Sequence, residues 1–341
     1  MKCIRTTEAV GHVLCHDITR IVKDVVKDTA FRKGHIVTEE DIPLLLSLGK
    51  DHLYVWEKDE NMLHENEAAQ ILYEVCQNEH MHPTPVKEGK IELIADCDGL
   101  FRVDVDRLDA INEIDEIMIA TRHTNTAVKK GDRLLGTRVI PLVIEKKKME
   151  LVKATAGEKP LVSLTPYRTM KVGIVTTGNE VFYGRIQDTF TPVIIDKIKA
   201  YGMEVLDHAV CDDNMEHITD AILDLKKKGA DMILCTGGMS VDPDDRTPGA
   251  IKNTGARIVS YGAPVLPGAM FLLAYFEDGT PIMGLPGCVM YAKATVFDLV
   301  LPRVAAGVEV TKKELAHMGN GGFCLGCEVC HYPDCGFGKG R

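Results

Sequence analysis

From residue 171 onward, the chain alternates between short apolar runs and longer stretches with helical spacing. Lys171-Val172-Gly173-Ile174-Val175-Thr176 is a continuous apolar run of strand length, the pattern of a strand buried on both faces. Ile194, Ile195, Ile198 and Tyr201 then recur on one helical face, with Thr191 as the expected cap and Pro192 at the first helical position. A strand over 204–210 follows. The next helix is predicted to start after Asp213, with Glu216 three residues on, and to bury Ile218, Ala221, Ile222 and Leu225. Lys226, Lys227 and Lys228 suit its last turn and a solvated helix end, and Gly229 closes it. A strand over 231–235 ends in Thr236-Gly237-Gly238. This strand-helix-strand-helix-strand order predicts an α/β fold with a parallel sheet and right-handed crossovers.

The first half reads differently. Thr38-Glu39-Glu40-Asp41 predicts a helix start with Thr38 as cap, a stripe of Ile42, Leu45 and Leu46, and a stop at Gly49. A strand is expected from His52 to Trp56, and a helix over 65–78 that buries Ala68, Ile71, Leu72 and Val75. Strands dominate from 89 to 152, one over 91–95 and another over 138–144, where Pro141 forces an edge or a bulge. The expected organisation is a smaller mixed α+β domain over 1–155, a linker over 156–169, an α/β domain over 170–307, and a Cys-rich tail over 308–341.

Composition narrows the function classes. Hydrophobic residues make up 45% and charged residues 26%, which suits a globular chain. The formal charge of -10 argues against a general nucleic-acid binder and leaves room for a local anion pocket. No apolar run approaches the roughly 20 residues that span a bilayer, and the first residues lack a signal-peptide core. A soluble, cytoplasmic protein with no membrane partner is the expectation.

Ligands of parallel sheets bind outside the carboxyl ends of the strands. Three loops fall there: Thr176-Thr177-Gly178-Asn179-Glu180, then the run from Thr236-Gly237-Gly238-Met239-Ser240 through Asp242, Asp244 and Asp245 to Thr247-Pro248, and Gly284-Leu285-Pro286-Gly287-Cys288. Each could be a plain turn, since Gly, Pro, Asn and Asp populate turns for backbone reasons. Together at one sheet edge they suggest a site. Gly237 and Gly238 allow close backbone approach to a ligand, Ser240 and nearby amides can donate to an anion, and Thr247-Pro248 resembles a helix start that favours phosphate. Carboxylates of Asp242, Asp244, Asp245 and Glu180 beside phosphate call for a cation, and Mg²⁺ commonly bridges the two. Asp213 is expected to be a helix cap rather than a ligand, Met239 to pack under its loop, and His80, His82 and His123 to have no role.

With all three motifs in order, residues 170–307 resemble the molybdopterin-binding domain found in molybdopterin molybdenumtransferase of the MoeA type, in molybdopterin adenylyltransferase and in related proteins. The resemblance implies a three-layer α/β/α sandwich that binds molybdopterin at these loops. It also implies insertion of molybdate with Mg²⁺ and loss of AMP from adenylated molybdopterin. Carried over by motif, Glu180, Asp245 and Asp242 are the candidate catalytic acids. Thr177, Gly178, Gly237, Gly238, Ser240, Thr247, Pro286 and Gly287 are the candidate binding residues. Residues 8–56 resemble the amino-terminal part of the transferase, a family that tends to homodimers. The chain departs from the transferase pattern at Asn179, which replaces an Asp, and at Cys288-Val289, which replace Asn-Pro. No Ser-x-Met-Asp-Gly-Tyr-like segment occurs in 1–160. Asp245-Arg246-Thr247-Pro248 also resembles the Asp-x-Thr-Pro pattern of the adenylyltransferase. A non-catalytic pterin carrier or sensor, an adenylyltransferase and a nucleotide pyrophosphatase on a similar sheet therefore stay open beside the transferase.

Of 11 cysteines, four are crowded near the carboxyl end as Cys324-x₂-Cys327-x₂-Cys330-x₄-Cys335. Such spacing suits Zn²⁺ or an iron–sulfur cluster: the first two intervals equal those of bacterial ferredoxins, and the third is longer by one. His331 is a possible substitute ligand. Redox-active thiols and a flexible tail are the plain alternatives.

Overall fold

Alternate side chains of one central sheet feed two separate apolar cores, one on each face. In the computed structural model, which describes residues 2–22, 26–55, 60–240, 242–243 and 245–340, the chain divides into two compact units. Trp56, Val241 and Asp244 of the sequence reading lie outside the described residues. None of the described helices is long and apolar enough to cross a membrane.

The second unit contains residues 164–341 together with 97–102 and 123–129. Its sheet is built from β1 (Lys171–Thr177), β2 (Glu204–Cys211), β3 (Met232–Thr236), β4 (Arg257–Tyr261), β5 (Leu272–Tyr275) and β6 (Pro281–Leu285). The spatial order is β2-β1-β3-β6-β5-β4. β2, β1, β3 and β6 pair in parallel, and β5 pairs antiparallel with both of its neighbours. The antiparallel β4–β5 pair lies beyond the strands that the sequence pattern predicts.

The helices are α1 (Asn179–Phe182), α2 (Phe190–Lys199), α3 (Met215–Lys227), α4 (Thr247–Asn253), α5 (Val296–Ala305) and α6 (Lys312–His317). On one face, Val172, Ile174, Met232, Leu234 and Met283 pack with Ile194 and Ile198 of α2 and with Phe297 and Val300 of α5. On the other, Val175, Ile233, Cys235 and Ile282 pack with Ile218, Ile222 and Leu225 of α3 and Ile251 of α4. Period-two alternation in the strands and period-3.6 stripes in the helices thus meet as three layers. Gly173 lets α3 approach β1, since a Cβ there would lie 3.0 Å from Leu225 Cδ1.

Two helix starts differ from expectation. Asp188, not Thr191, opens α2: its Oδ1 accepts from the amides of Phe190 at 2.9 Å and Thr191 at 3.0 Å. Its Oδ2 accepts from the hydroxyls of Thr191 at 2.5 Å and Thr176 at 3.1 Å. Asn214, not Asp213, caps α3, accepting from the amides of Glu216 at 2.8 Å and His217 at 3.3 Å. In each case a neighbouring polar side chain accepts from the free amides at the helix start.

The first unit is mixed α+β. A four-stranded antiparallel sheet runs in the order Met81–Pro83, Lys90–Ala95, Arg133–Val139, Ile117–Thr121. Helix Glu65–Cys76 buries Ala68, Ala69, Leu72 and Cys76. The strand expected over 138–144 is two elements, Arg133–Val139 and Val143–Glu145, because Pro141 cannot donate to a ladder. Helix Asp41–Ser47 starts later than expected, with Glu40 at the cap position, and the Thr38 amide and hydroxyl donate to Asp41. Strand Val162–Pro166 occupies much of the stretch read as a linker, and residues 308–341 group with the α/β unit rather than apart from it.

Leu225→Ala empties space between α3 and β1 and is expected to cost about 2–5 kcal/mol in chemical denaturation. Asp188 gives a pH signature. Burial by itself raises its carboxyl, but hydrogen bonds from Thr191, Phe190 and Thr176 outweigh burial and hold it below the ordinary carboxylate range. Its contribution is therefore full above the unfolded value of about 3.9 and is lost as pH falls through the lower folded value. Asp188→Asn should lower stability at neutral pH by on the order of 1 kcal/mol. Acid-titration denaturation should show that gap closing below about pH 4; a gap that stays constant to lower pH would refute the assignment.

Candidate functional site

The order β2-β1-β3 makes the chain reverse direction between β1 and β3, and a crevice opens outside their carboxyl ends. Thr176 of β1 lies in register with Thr236 of β3, and Thr236 with Leu285 of β6. The three loops therefore leave the sheet side by side, as the sequence reading requires.

The first two loops are welded by buried threonines. Thr177 Oγ1 donates to Thr236 O at 3.2 Å and lies 3.1 Å from Thr247 Oγ1. Thr247 Oγ1 donates to Gly237 O at 2.9 Å. Thr177 and Thr247 are almost fully buried, so their hydroxyls hold the loops together rather than facing a ligand. Gly237 has φ +83°, and a Cβ there would lie 2.2 Å from Thr177 O, so no side chain fits.

The turn over residues 237–240 has its carbonyls turned inward. Gly237 O accepts from the Thr247 hydroxyl, and Gly238 O accepts from the Thr247 amide at 3.3 Å. Met239 O and Ser240 O both accept from the Tyr261 hydroxyl, at 3.0 and 3.3 Å. Burial, with Asp245 nearby, pushes the Tyr261 phenol up, so it keeps its proton and remains a donor. With its carbonyl oxygens engaged, the turn is left to offer a ligand its N–H groups and the exposed Ser240 hydroxyl. Met239 packs inward against Gly284 of β6, as expected. Tyr261 was missed by the sequence reading because it sits on β4, far along the chain.

The helix start at Thr247-Pro248 is a poorer anion site than expected. The Thr247 amide is taken by Gly238 O, Pro248 has no N–H, and α4 is a short helix of 7 residues. Asp213, expected at a helix cap, instead accepts from the Asn179 amide at 2.9 Å and so ties the start of α1 to the loop after β2. Glu180 is exposed at the start of α1, its carboxylate folded toward Gly178, whose φ is +136°. A second polar network lies beneath. Thr176 Oγ1 is 2.9 Å from both Thr191 Oγ1 and His208 Nε2, with Asp188 bonded to the two hydroxyls. Asp188 and His208 carried no motif signal and were not singled out from sequence.

Asp242 and Asp245 hold each other. The Asp242 amide donates to Asp245 Oδ2 at 3.2 Å, and the Asp245 amide donates to Asp242 O at 3.0 Å. Among the described residues no three carboxylate, Cys or His side chains converge closely enough to hold an ion unaided. The oxygen donors of Asp242 and Asp245 still suit a hard cation that takes one or two carboxylates and completes its shell with phosphate and water. Pro286 is buried where β6 ends, and Gly287 beyond it is exposed, with open space where a Cβ would stand.

A cavity also lies elsewhere. A hollow of about 870 Å³ is lined by Arg168, Asp231, Arg257, Asp278 and Glu309 and lies at the amino ends of the strands. None of the predicted site residues lines it. Size does not outweigh the strand-end argument, since the loops that can approach a ligand closely are at the other edge. Cys324, Cys327, Cys330 and Cys335 line a separate cavity of about 470 Å³.

Comparison with known proteins agrees with the loops. Residues 173–306 match the family described as a probable molybdopterin binding domain, and residues 3–57 match a separate family described as a domain of unknown function. A molybdopterin molybdenumtransferase of Haemophilus influenzae is 28% identical over 193 residues, covering 54% of this chain and 45% of that protein. A CinA-like protein of Mycobacterium avium is 36% identical over 77 residues, 23% of this chain and 18% of that one. The crystal structure of the molybdopterin biosynthesis enzyme MoaB from Thermus thermophilus is 24% identical, covers 41% of this chain and 98% of its own, and superposes with a TM-score of 0.34. The match to the Haemophilus transferase thus spans under half of that relative's length. The three strand-end loops thus lie, in order, within the stretch 173–306 that matches the probable molybdopterin binding domain.

Proposed function

We propose that the chain acts in molybdenum cofactor biosynthesis, holding molybdopterin or its adenylated form at the three loops and inserting molybdate with release of AMP. The observation that carries this reading is the turn over residues 237–240. Its carbonyls are bonded inward, so it meets an anionic phosphate with donors rather than acceptors. Gly287, exposed and with open space where a Cβ would stand, lets the pterin approach the backbone. Ser240 is exposed and donates to the phosphate.

Asp245, with Asp242 and Glu180, is the acidic side of the site. A Mg²⁺ ion, when bound by these carboxylates, supplies the positive charge that lets carboxylate and phosphate share one crevice. Asp245 is the first choice because its backbone and side chain are both fixed through Asp242, so its position is set before a ligand arrives. The proposed setting is cytoplasmic, and the proposed assembly is a homodimer, on the resemblance to the transferase family.

A carrier or sensor that binds the pterin without turning it over is the second reading. It is favoured by the partial match to the transferase and by residues 3–57, which match a family of their own. An adenylyltransferase is separated from both by ATP consumption.

Anaerobic assays with adenylated molybdopterin and molybdate decide among them. The wild type should release AMP, and Asp245→Asn should reduce the rate by roughly 100-fold or more; full turnover by this variant would remove the assigned role. Pterin bound without AMP release would select the carrier. Tyr261→Phe leaves two carbonyls of the turn without their donor. Fluorescence titration should show molybdopterin affinity falling by about fivefold, the equivalent of one hydrogen bond. Unchanged affinity would mean that the turn does not carry the phosphate.

A further inference from the structure

The carboxyl-terminal cysteines are not used by the reading above. From residue 318 to residue 340 the described chain contains no helix and no regular strand. It is nevertheless pinned. Leu266 donates its amide to Gly322 O at 2.8 Å and accepts at its own carbonyl from the Cys324 amide at 2.8 Å. Gly338 donates to Gly321 O at 2.9 Å, which closes the segment into a loop. Tyr332 Oη donates to Asp298 O at 2.8 Å, and Phe337 is buried in the core beside α5.

This closed loop wraps a hollow. Cys324, Cys327, Cys330 and Cys335 all line the same cavity of about 470 Å³, and all four thiols are free. Cys324 and Cys335 are half-buried, and Cys327 and Cys330 are exposed. Phe323, Leu325 and Val329 are exposed, although the first two also line the cavity, so the apolar burial of the loop rests mainly on Phe337 and Tyr332. A loop with this little core of its own is ordinarily ordered by a cross-link or a metal.

The spacing of the cysteines and the shared cavity bear on which metal they suit. A single Zn²⁺ needs four sulfurs about 2.3 Å from one point, so the sulfurs would converge tightly. Among the described residues no three Cys, His or carboxylate side chains are placed to hold an ion as they stand, so a metal of either kind would have to draw the thiols in. A cubane cluster binds each thiolate to a different iron at the corners of a cube. Its cysteines therefore surround a hollow instead of meeting at a point. The spacing of the first three cysteines is that of ferredoxin clusters. We propose that Cys324, Cys327, Cys330 and Cys335 ligate a [4Fe–4S] cluster, each thiol giving up its proton on binding. The cluster occupies the cavity and locks the loop against α5. His331 lines the cavity but is not needed as a ligand.

The test uses the full chain, reconstituted anaerobically with equal amounts of ferrous and ferric iron and with sulfide, and reads metal rather than pterin chemistry. Iron and acid-labile sulfide should each reach about four per chain, with a visible absorption that dithionite bleaches. Cys327→Ser and Cys330→Ser, at exposed positions that disturb no packing, should lose iron and absorption together. Cys3→Ser, an exposed thiol of the other unit, should retain both, and so should His331→Ala. One zinc per chain without sulfide, a protein that takes up no iron while its thiols pair as disulfides, or iron retained by both cysteine variants would each overturn the proposal.

Discussion

Everything at the candidate site depends on how closely β1 and β3 end beside each other. Thr177, Thr236, Gly237 and Thr247 share one set of buried hydrogen bonds across three chain segments. Each bond contributes only about 1 kcal/mol. Their position matters more than their sum, because each unpaired hydroxyl or carbonyl here would be buried without a partner. The weld therefore has one low-energy arrangement. It also requires glycine at 237, where the Thr177 carbonyl occupies the place of a Cβ.

That weld works only because the sheet beneath it is rigid. Side chains of β1, β3 and β6 alternate between two cores, so neither face can shift without opening a void in one of them. The polar cluster of Thr176, Asp188, Thr191 and His208 sits at the same strand ends and ties α2 to β1 and β2. Loops that lack regular structure are thus held by well-packed strands and helices. This is the usual division of labour between scaffold and site. The carboxyl-terminal loop follows the same logic with a weaker scaffold, since one ring, one phenol and a few backbone bonds carry it.

Local signals were read well where one residue type dominates a pattern. The stripes of α2 and α3 and the apolar runs of β1 and β3 are such cases. Helix caps were read less well. Asp188, Thr189 and Thr191 stand within four positions, as do Asp212, Asp213 and Asn214, and each can accept from a free amide. Which one does so depends on where the preceding loop must travel. Asp213 is drawn off to Asn179, and this leaves Asn214 to cap α3. Pro141 had the effect its chemistry predicts, ending one strand and beginning another.

By itself the sequence determined the α/β class, the parallel strand order along the chain, the three loops and the crowding of four cysteines. These are properties of local composition and spacing, which survive without knowledge of distant partners. Only the tertiary structure decided which hydroxyls face inward, that Tyr261 on β4 reaches back to hold the turn over residues 237–240, and that the four cysteines line one cavity. Those outcomes depend on contacts between residues far apart in the chain. Their free energy comes from burial and pairing that no short window of sequence contains.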